Sequence, residues 1–414
     1  MQHKLTVTID KVLNNGYGMA RNPEGNAIFV PGALAGESWK INKAKKKKGA
    51  LWATSSQRLS DSDIRQMPDC RHFPQCGGCR LLHIKRDAEM DVKKTYLYDV
   101  LRRVGKLDQP ELELHDFPAE ASRIRGKFHV DQEGNLGFMG PESNHVALVS
   151  NCYVIPSSVC GLQQDLRAWC MRTGFRGEIF FATDTEGNNP VLELHGVMRS
   201  YKKDIWQIDK AAGISWIDGM NRSRWTTGTT TIAFKWNDLE VDLPPSAFFQ
   251  SNPASWPLFF DLIKTWQHKY RPAHVWDVHA GSGFLSSALT EVSGFASEPD
   301  EAAYQRLKTA LEPLGFKTHR ATAEQVLELN LVPTEILDGA ILDPPRSGLE
   351  APMRQWLQEQ GPHALLYISC DMASFARDLK SLGETYRIDS PIHVMNLNPG
   401  TLKLELAVML VRNP

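Results

Sequence analysis

The sequence predicts an α/β protein whose C-terminal part is a doubly wound, largely parallel sheet. A small β-barrel and a β-rich central α+β region precede it. Three observations support this. Residues 4–57 alternate polar and apolar with turns between. Residues 110–250 carry short strands broken by turns such as DQEGN, TEGNN and WNDLE. From about residue 255 strands and helices alternate in single file, the pattern of βαβ units. Domains are therefore expected at 1–60, 61–254 and 255–414, in keeping with a chain of 414 residues that is too long for one core.

In the first region, LTVTID and NAIFVPGAL read as strands, and ESWKINKAKKKKGALWAT reads as two strands around a basic hairpin. This suits a five-stranded barrel of the OB type, often an RNA-binding module. Residues 1–60 hold ten Lys/Arg against three Asp/Glu, a net of +7 in a chain whose total is −1. An anion-binding module on a larger acidic body fits that asymmetry. Lys45, Lys46 and Lys47 of the lysine run are its candidate phosphate contacts. A solvated hairpin tip is the plain alternative.

Composition is ordinary, with 42% hydrophobic and 23% charged residues, which supports packed domains rather than disorder. No apolar run reaches the roughly 18 residues that span a bilayer, and MQHKLTVTID does not read as a signal peptide. A cytoplasmic protein without membrane contact is expected. Seven cysteines in such a chain point to metal binding or catalysis rather than disulfides. Three of them, Cys70, Cys76 and Cys79, lie in CRHFPQCGGC. Residues 86–105 then read as a helix, and SRIRGKFHV is a strand carrying Arg123, Arg125 and Lys127.

In the last region, WDVHAGSGF puts Asp277 at a strand end and Gly281 and Gly283 in a tight turn before the expected helix FLSSALTEV. Such a turn lets backbone approach a ligand at a helix N-terminus. The next strand ends in Glu298, placed to accept hydrogen bonds from ribose hydroxyls. A nicotinamide dinucleotide and S-adenosylmethionine both fit. LDPPRSG adds Asp343 and two rings that stiffen the following loop, which favours the methyl donor. The residue after the prolines is Arg346 rather than an aromatic that would stack on a base bearing an exocyclic amine.

YISCDMASFARDL ends a strand in Cys370 just before a helix. Alone, that thiol reads as a small buried hydrophobe. Carbon 5 of uracil, however, attacks a methyl sulfonium only after a thiolate adds to carbon 6, and a base must then remove the carbon 5 proton. Cys370 is the candidate thiol, and a helix N-terminus suits its activation. Glu405, 35 residues on in NPGTLKLELAVMLV, is the candidate base; by itself it reads as an exposed strand residue.

PPSAFFQSNP, DVHAGSGF, ILDPPRSG, YISCDMASFARDL and NPGTLKLELAVML together resemble the class I RNA (uracil-5-)-methyltransferases, in order and in spacing, over essentially the whole chain. The resemblance implies a Rossmann-like methyltransferase domain using S-adenosylmethionine. Cys370 would be the nucleophile and Glu405 the base. Gln250, Gly281, Gly283, Glu298 and Asp343 would hold the cofactor. The barrel resembles the family's TRAM domain. Cys70, Cys76 and Cys79 with distant Cys152 resemble its 4Fe-4S site, tetrahedral zinc being the rival. Arg123, Arg125 and Lys127 would face RNA. Having both barrel and cysteines is most similar to the enzymes that methylate 23S rRNA; a monomer is expected.

The departures are specific. Where the family reads D-x-(Y/F)-C-G-x-G-(N/T)-F, this chain has His279, Ala280 and a Phe284 directly after Gly283. Asp371 replaces the asparagine after the nucleophile, and its charge would raise the thiol pKa. Gly400 and Lys403 replace two histidines before the base. A catalytically impaired paralogue serving as an RNA-binding or ribosome-assembly factor, and a tRNA enzyme, are the two alternatives.

Overall fold

The computed structural model describes residues 5–414 apart from 14, 142, 144, 200–207, 221, 237–238 and 333–336. The expected WNDLE turn falls at 237–238, outside the described residues.

Six strands form the N-terminal unit: β1 (Leu5–Thr8), β2 (Lys11–Val12), β3 (Tyr17–Arg21), β4 (Ala27–Pro31), β5 (Ser38–Lys47) and β6 (Ala50–Arg58). Their order is β1-β5-β6-β4-β3-β2. Only two residues separate β1 from β2, so they are the halves of one bent strand, and its pairing with both β5 and β3 closes a five-stranded barrel. Val7, Ile9, Ile28, Val30, Trp39 and Ile41 fill it. Closure removes the free edges that an open sheet of this size would expose. Buried Glu37 accepts from Leu34 N and Trp39 Nε1, each at 2.9 Å, and pairs with Arg65 of the following segment. Lys43–Lys48 stand exposed along β5 and its hairpin tip.

Helix α1 (Arg86–Val100) continues into a π-turn, and strand β7 (Leu112–Asp116) follows. Seven strands then build the central sheet: β8 (Arg125–Val130), β9 (Leu136–Met139), β10 (Val146–Leu148), β11 (Arg176–Ala182), β12 (Val191–Val197), β13 (Gly213–Ile217) and β14 (Ser223–Gly228), in the order β10-β9-β8-β11-β12-β13-β14. Helices α2 (Ser157–Cys160) and α3 (Gln163–Thr173) lie between β10 and β11 in sequence. Leu166, Trp169 and Cys170 of α3 pack on Phe128, Ile179 and Leu192 of the sheet. A hairpin of β15 (Ile232–Trp236) and β16 (Leu239–Leu243) leads to α4 (Trp256–Tyr270).

The C-terminal part alternates as expected: β17 (His274–Asp277), β18 (Ser293–Ser297), α5 (Glu301–Leu311), β19 (Phe316–His319), α6 (Ala323–Glu328), β20 (Gly339–Leu342), α7 (Ala351–Gln360), β21 (Ala364–Ser369), α8 (Met372–Leu382), β22 (Tyr386–Ile388), β23 (Ile392–Asn396) and β24 (Glu405–Arg412). The sheet order is β19-β18-β17-β20-β21-β24-β23-β7, with β22 also on β24. The strands from β19 to β21 are parallel, and β24 runs against its neighbours. Alternate residues of β21 enter two cores: Ala364, Leu366 and Ile368 face α4, while Leu365 and Tyr367 face α7 and α8. A sheet buried on both faces reads as a continuous apolar run, which ALLYIS is.

Two expectations change. Strand β7 lies within the range expected for the central domain, yet it is the edge strand of the C-terminal sheet, parallel to β23. LELHD carries no mark of that partner, because pairing over nearly 300 residues leaves no local signal. The helix expected over FLSSALTEV is only a 3-10 turn, Ser286–Ala288. Ser286 Oγ donates to Asp277 Oδ2 at 2.5 Å and Ser287 Oγ to Phe284 O at 2.7 Å, and such short polar side chains compete with a helical ladder.

Candidate active site

The sheet reverses strand order between β17 and β20, and ligands of such folds bind outside the carboxyl ends of the strands at that point. Asp277 ends β17, Glu298 follows β18, Asp343 follows β20 and Cys370 follows β21. Glu405 joins them because β24 is antiparallel and starts at this end. The β21–β24 register pairs Ser369 with Leu406, so one step further sets Cys370 opposite Glu405.

Burial is the main cause that raises the Cys370 thiol to about 11, followed by the charges of Glu405 and Asp343, with Arg346 opposing them. Asp371 acts elsewhere. Its Oδ1 accepts from Ala373 N at 3.0 Å, Ser374 N at 2.9 Å and Ser374 Oγ at 3.0 Å, capping α8. The residue that departs from the family's asparagine thus does the capping that an asparagine does. Changing Asp371 to Ala is expected to cost about 1 kcal/mol of stability by denaturant unfolding. The Asn variant is expected to keep both the stability and the alkylation rate of Cys370.

Burial also raises Asp343, to about 7, and Glu405 well above the ordinary carboxylate range, with the charge of Asp343 adding to the effect on Glu405. Raised proton affinity is what a base working near neutrality needs. Lys403 is drawn down to about 8, by burial first and then by Arg346 and Arg123. The lysine that replaces a family histidine therefore has a proton it can release near neutral pH.

The supporting network was invisible in the sequence. Ser374 Oγ donates to Arg346 O at 3.0 Å, and buried Asp378 accepts from Leu349 N at 2.9 Å and Tyr367 OH at 2.8 Å. These bonds tie the loop after Asp343 to α8. On the other side, buried Lys93 bonds Glu89 and Asn396, each at 2.7 Å, and Glu89 accepts from Gly400 N at 2.9 Å. Arg80 N and Leu81 N both donate to Gly400 O at 2.8 Å. Gly400 has φ +76°, which strains any residue with a side chain, and a Cβ there would press on the end of the Leu82 side chain, so the family's histidine is disfavoured here. The loop leading to Glu405 is thereby held to the cysteine segment. Only i,i+4 spacing of Glu89 and Lys93 was readable beforehand.

The cofactor candidates surround the strand ends. Gly281 has φ +55° with open space where a Cβ would stand, and Gly281 N donates to Glu298 Oε2 at 3.0 Å. Gly283, at φ +84°, packs against Leu311. Asp277 Oδ1 and His279 Nδ1 are buried without a partner. Burial lifts Asp277 to about 7 and lowers His279 to about 4. Gln250 is buried between Phe249 and Asn252, whose side chain donates to Leu397 O at 2.9 Å. A cradle with open backbone and orphaned polar atoms fits a ligand carrying hydroxyl and amino groups. It lacks the expected helix N-terminus, since FLSSALTEV forms no α-helix.

Cys70, Cys76, Cys79 and Cys152 line one cavity of about 130 Å³ together with Arg123, Arg125 and Lys127. Burial raises the thiols of Cys76 and Cys152 and lifts Cys79 to about 12, and the thiols' mutual repulsion adds to it. The three cations expected to face RNA each have a partner within the protein. Arg123 Nε donates to Asn398 Oδ1 at 2.9 Å, Arg125 to Phe249 O at 3.2 Å, and Lys127 pairs with Glu178 at 2.6 Å. Charge along a strand did not reveal which face these side chains take. Phe248, 62% exposed with Arg125 over its ring, was not singled out and is the exposed aromatic beside Gln250.

Fold and site define a Rossmann-like methyltransferase with a thiol and a carboxylate set across adjacent strands. No protein-family profile matches the chain. A protein of Thermotoga maritima named an uncharacterized RNA methyltransferase is 26% identical, covering 98% of both chains. The Chromohalobacter salexigens 23S rRNA (uracil(1939)-C(5))-methyltransferase RlmD is 28% identical over 98% of this chain and 89% of its own. The Pyrococcus abyssi tRNA (uracil-54, C5)-methyltransferase, solved with S-adenosyl-L-homocysteine, shares the fold at TM-score 0.77 and 19% identity, over 98% of this chain and 99% of that one. Over nearly its whole length the chain is thus similar to RNA methyltransferases, among them enzymes named for carbon 5 of uracil. Among the described residues no helix is long and apolar enough to cross a membrane.

Proposed function

We propose that this chain methylates carbon 5 of a uridine in 23S rRNA through a covalent adduct of Cys370 with carbon 6. The observation that supports the reading is the β21–β24 register, which ends at Ser369 and Leu406, one residue from a thiol and from a carboxylate of raised proton affinity. Cys370, deprotonated and favoured by Arg346, adds to carbon 6 of the ring. Bound at the glycine turn, S-adenosylmethionine would supply an electrophilic methyl group, its carbon–sulfur bond breaking to leave the neutral thioether. Carbon 5, nucleophilic in the adduct, accepts that methyl. Glu405 then removes the carbon 5 proton, and the returning electron pair expels Cys370 as thiolate. Gln250, Gly281, Gly283, Glu298 and Asp343 hold the donor, and Lys45, Lys46 and Lys47 contact RNA phosphates. A monomer working in the cytoplasm is part of the proposal.

The ribosomal target is supported by the Chromohalobacter salexigens relative and by the barrel, read here as a TRAM domain. The fold match to a tRNA enzyme favours a transfer RNA as the second reading. A non-catalytic assembly factor would leave the Cys370–Glu405 pairing without a use. Incubation with labelled donor and ribosomal RNA from a strain lacking the protein should yield 5-methyluridine. Label on transfer RNA alone would replace the target, and label on neither would sink the reading.

Cys70, Cys76, Cys79 and Cys152 are proposed to hold a 4Fe-4S cluster. Among the described residues no three of their sulfurs lie within 4.8 Å of one another. Tetrahedral zinc is the rival for the same four thiols. Arg123 in the wall offsets the thiolate charge. An anaerobic preparation should be brown; a colourless one containing zinc would decide for zinc.

A further inference from the structure

Away from the active site, at the β7 edge of the sheet, three potential ligands converge. Glu113 and His115 are two residues apart on β7, so they share a face. His393 on β23 is the register partner of Glu113. His115 Nε2 stands 3.1 Å from His393 Nδ1. The two oxygens of Glu113 reach one imidazole each, Oε1 to His115 Nε2 and Oε2 to His393 Nδ1, both at 3.5 Å. Donors about 2.0–2.2 Å from a tetrahedral zinc lie about 3.3–3.5 Å from one another, and all three separations are close to this. Among the described residues this is the one group of three or more His, Cys, Asp or Glu side chains with ligand atoms all within 4.8 Å.

We propose that Glu113, His115 and His393 bind a divalent transition metal ion, zinc by ligand set, that clips edge strand β7 onto the sheet. Glu113 is 51% exposed on its side chain, leaving an approach for the ion and a place for a water as fourth ligand. The clip joins residues 278 positions apart, and tying a long loop restrains the unfolded chain most.

The test uses untagged full-length protein loaded with its cysteine-bound metal, treated with a mild chelator and titrated with Zn²⁺ in a calorimeter. Wild type is expected to take up one equivalent more than His393→Ala, and to melt at higher temperature with zinc than without it. Glu113→Gln, at an exposed side chain that cannot disturb packing much, should bind at least about tenfold more weakly while melting like wild type in chelator. Co²⁺ in the wild-type site should give visible bands without sulfur-to-cobalt charge transfer, absent from both variants. Equal zinc uptake by wild type and Glu113→Gln, or a cobalt spectrum that survives in Glu113→Gln, overturns the proposal and leaves a hydrogen-bonded trio.

Discussion

Replacing Cys370 with alanine is expected to lower methyl transfer on the order of 10⁴-fold or more, because no other group in the site can add to carbon 6. RNA binding should stay within a few-fold, since the residue contributes one small side chain. RNA carrying 5-fluorouridine reports the step directly: fluorine cannot leave as a proton does, so wild type should form an adduct that survives denaturing gels and the alanine variant should form none. An adduct in the alanine variant would move the nucleophile elsewhere. The thiol also sets a pH signature. Its proton is held up to about 11 in the free protein, so the thiolate fraction, and with it the rate of Cys370 alkylation, should rise about tenfold per pH unit between 7 and 10. A rate already level at pH 8 would mean that Arg346 and Lys403 activate the thiol more strongly than burial restrains it.

Glu405→Gln is expected to separate addition from release. Cys370 can still attack and carbon 5 can still take a methyl, but the proton on carbon 5 has no base. Turnover should fall about 10²–10⁴-fold, and unmodified substrate RNA should now leave a trapped methylated adduct. Fast release in that variant would assign the base elsewhere, with Lys403, whose charge couples to Glu405, as the next candidate. The carboxyl pair has a pH consequence of its own. Burial raises the proton affinity of Glu405 well above the ordinary carboxylate range, and the base is active only when unprotonated, so wild-type turnover should climb as pH rises out of the acid range. Burial also raises Asp343, to about 7. The same shift has a stability sign: a carboxyl whose pKa is raised on folding favours the fold at low pH. That advantage is lost as pH rises from the unfolded value to about 7.

Much of this site was legible because its residues end strands. Asp277, Glu298, Asp343 and Cys370 each follow an apolar run at the same end of a parallel sheet, and the alternation of helices and strands is a local signal. What joins them was not. Nothing in NPGTLKLELAVMLV says that β24 runs antiparallel, so the pairing of Cys370 with Glu405 rested on resemblance until the register was seen. Asp371 shows the opposite failure. Its charge beside the thiol read as a hindrance, yet the following backbone amides and Ser374 engage that charge, and the carboxylates that matter come from strands 27 and 35 residues away in sequence. The partners of Arg123, Arg125 and Lys127 were illegible for a related reason: a row of cations says nothing about whether water, RNA or a cavity lies on the facing side. The 3-10 turn after Gly283 was hidden because FLSSALTEV has helical residues but too little length before β18.

Strand β7 carries a consequence for how the protein is made. It leaves the ribosome early, but its pairing partner β23 is some 276 residues behind it. At synthesis rates of about 5–20 residues per second, that separation is roughly 15–55 s during which LELHD has no strand to pair with. The barrel strands precede β7, and the central sheet is complete within that interval. The methyltransferase sheet, by contrast, acquires its β7 edge only when β23 emerges, so catalytic competence waits on a strand made long after the other two units.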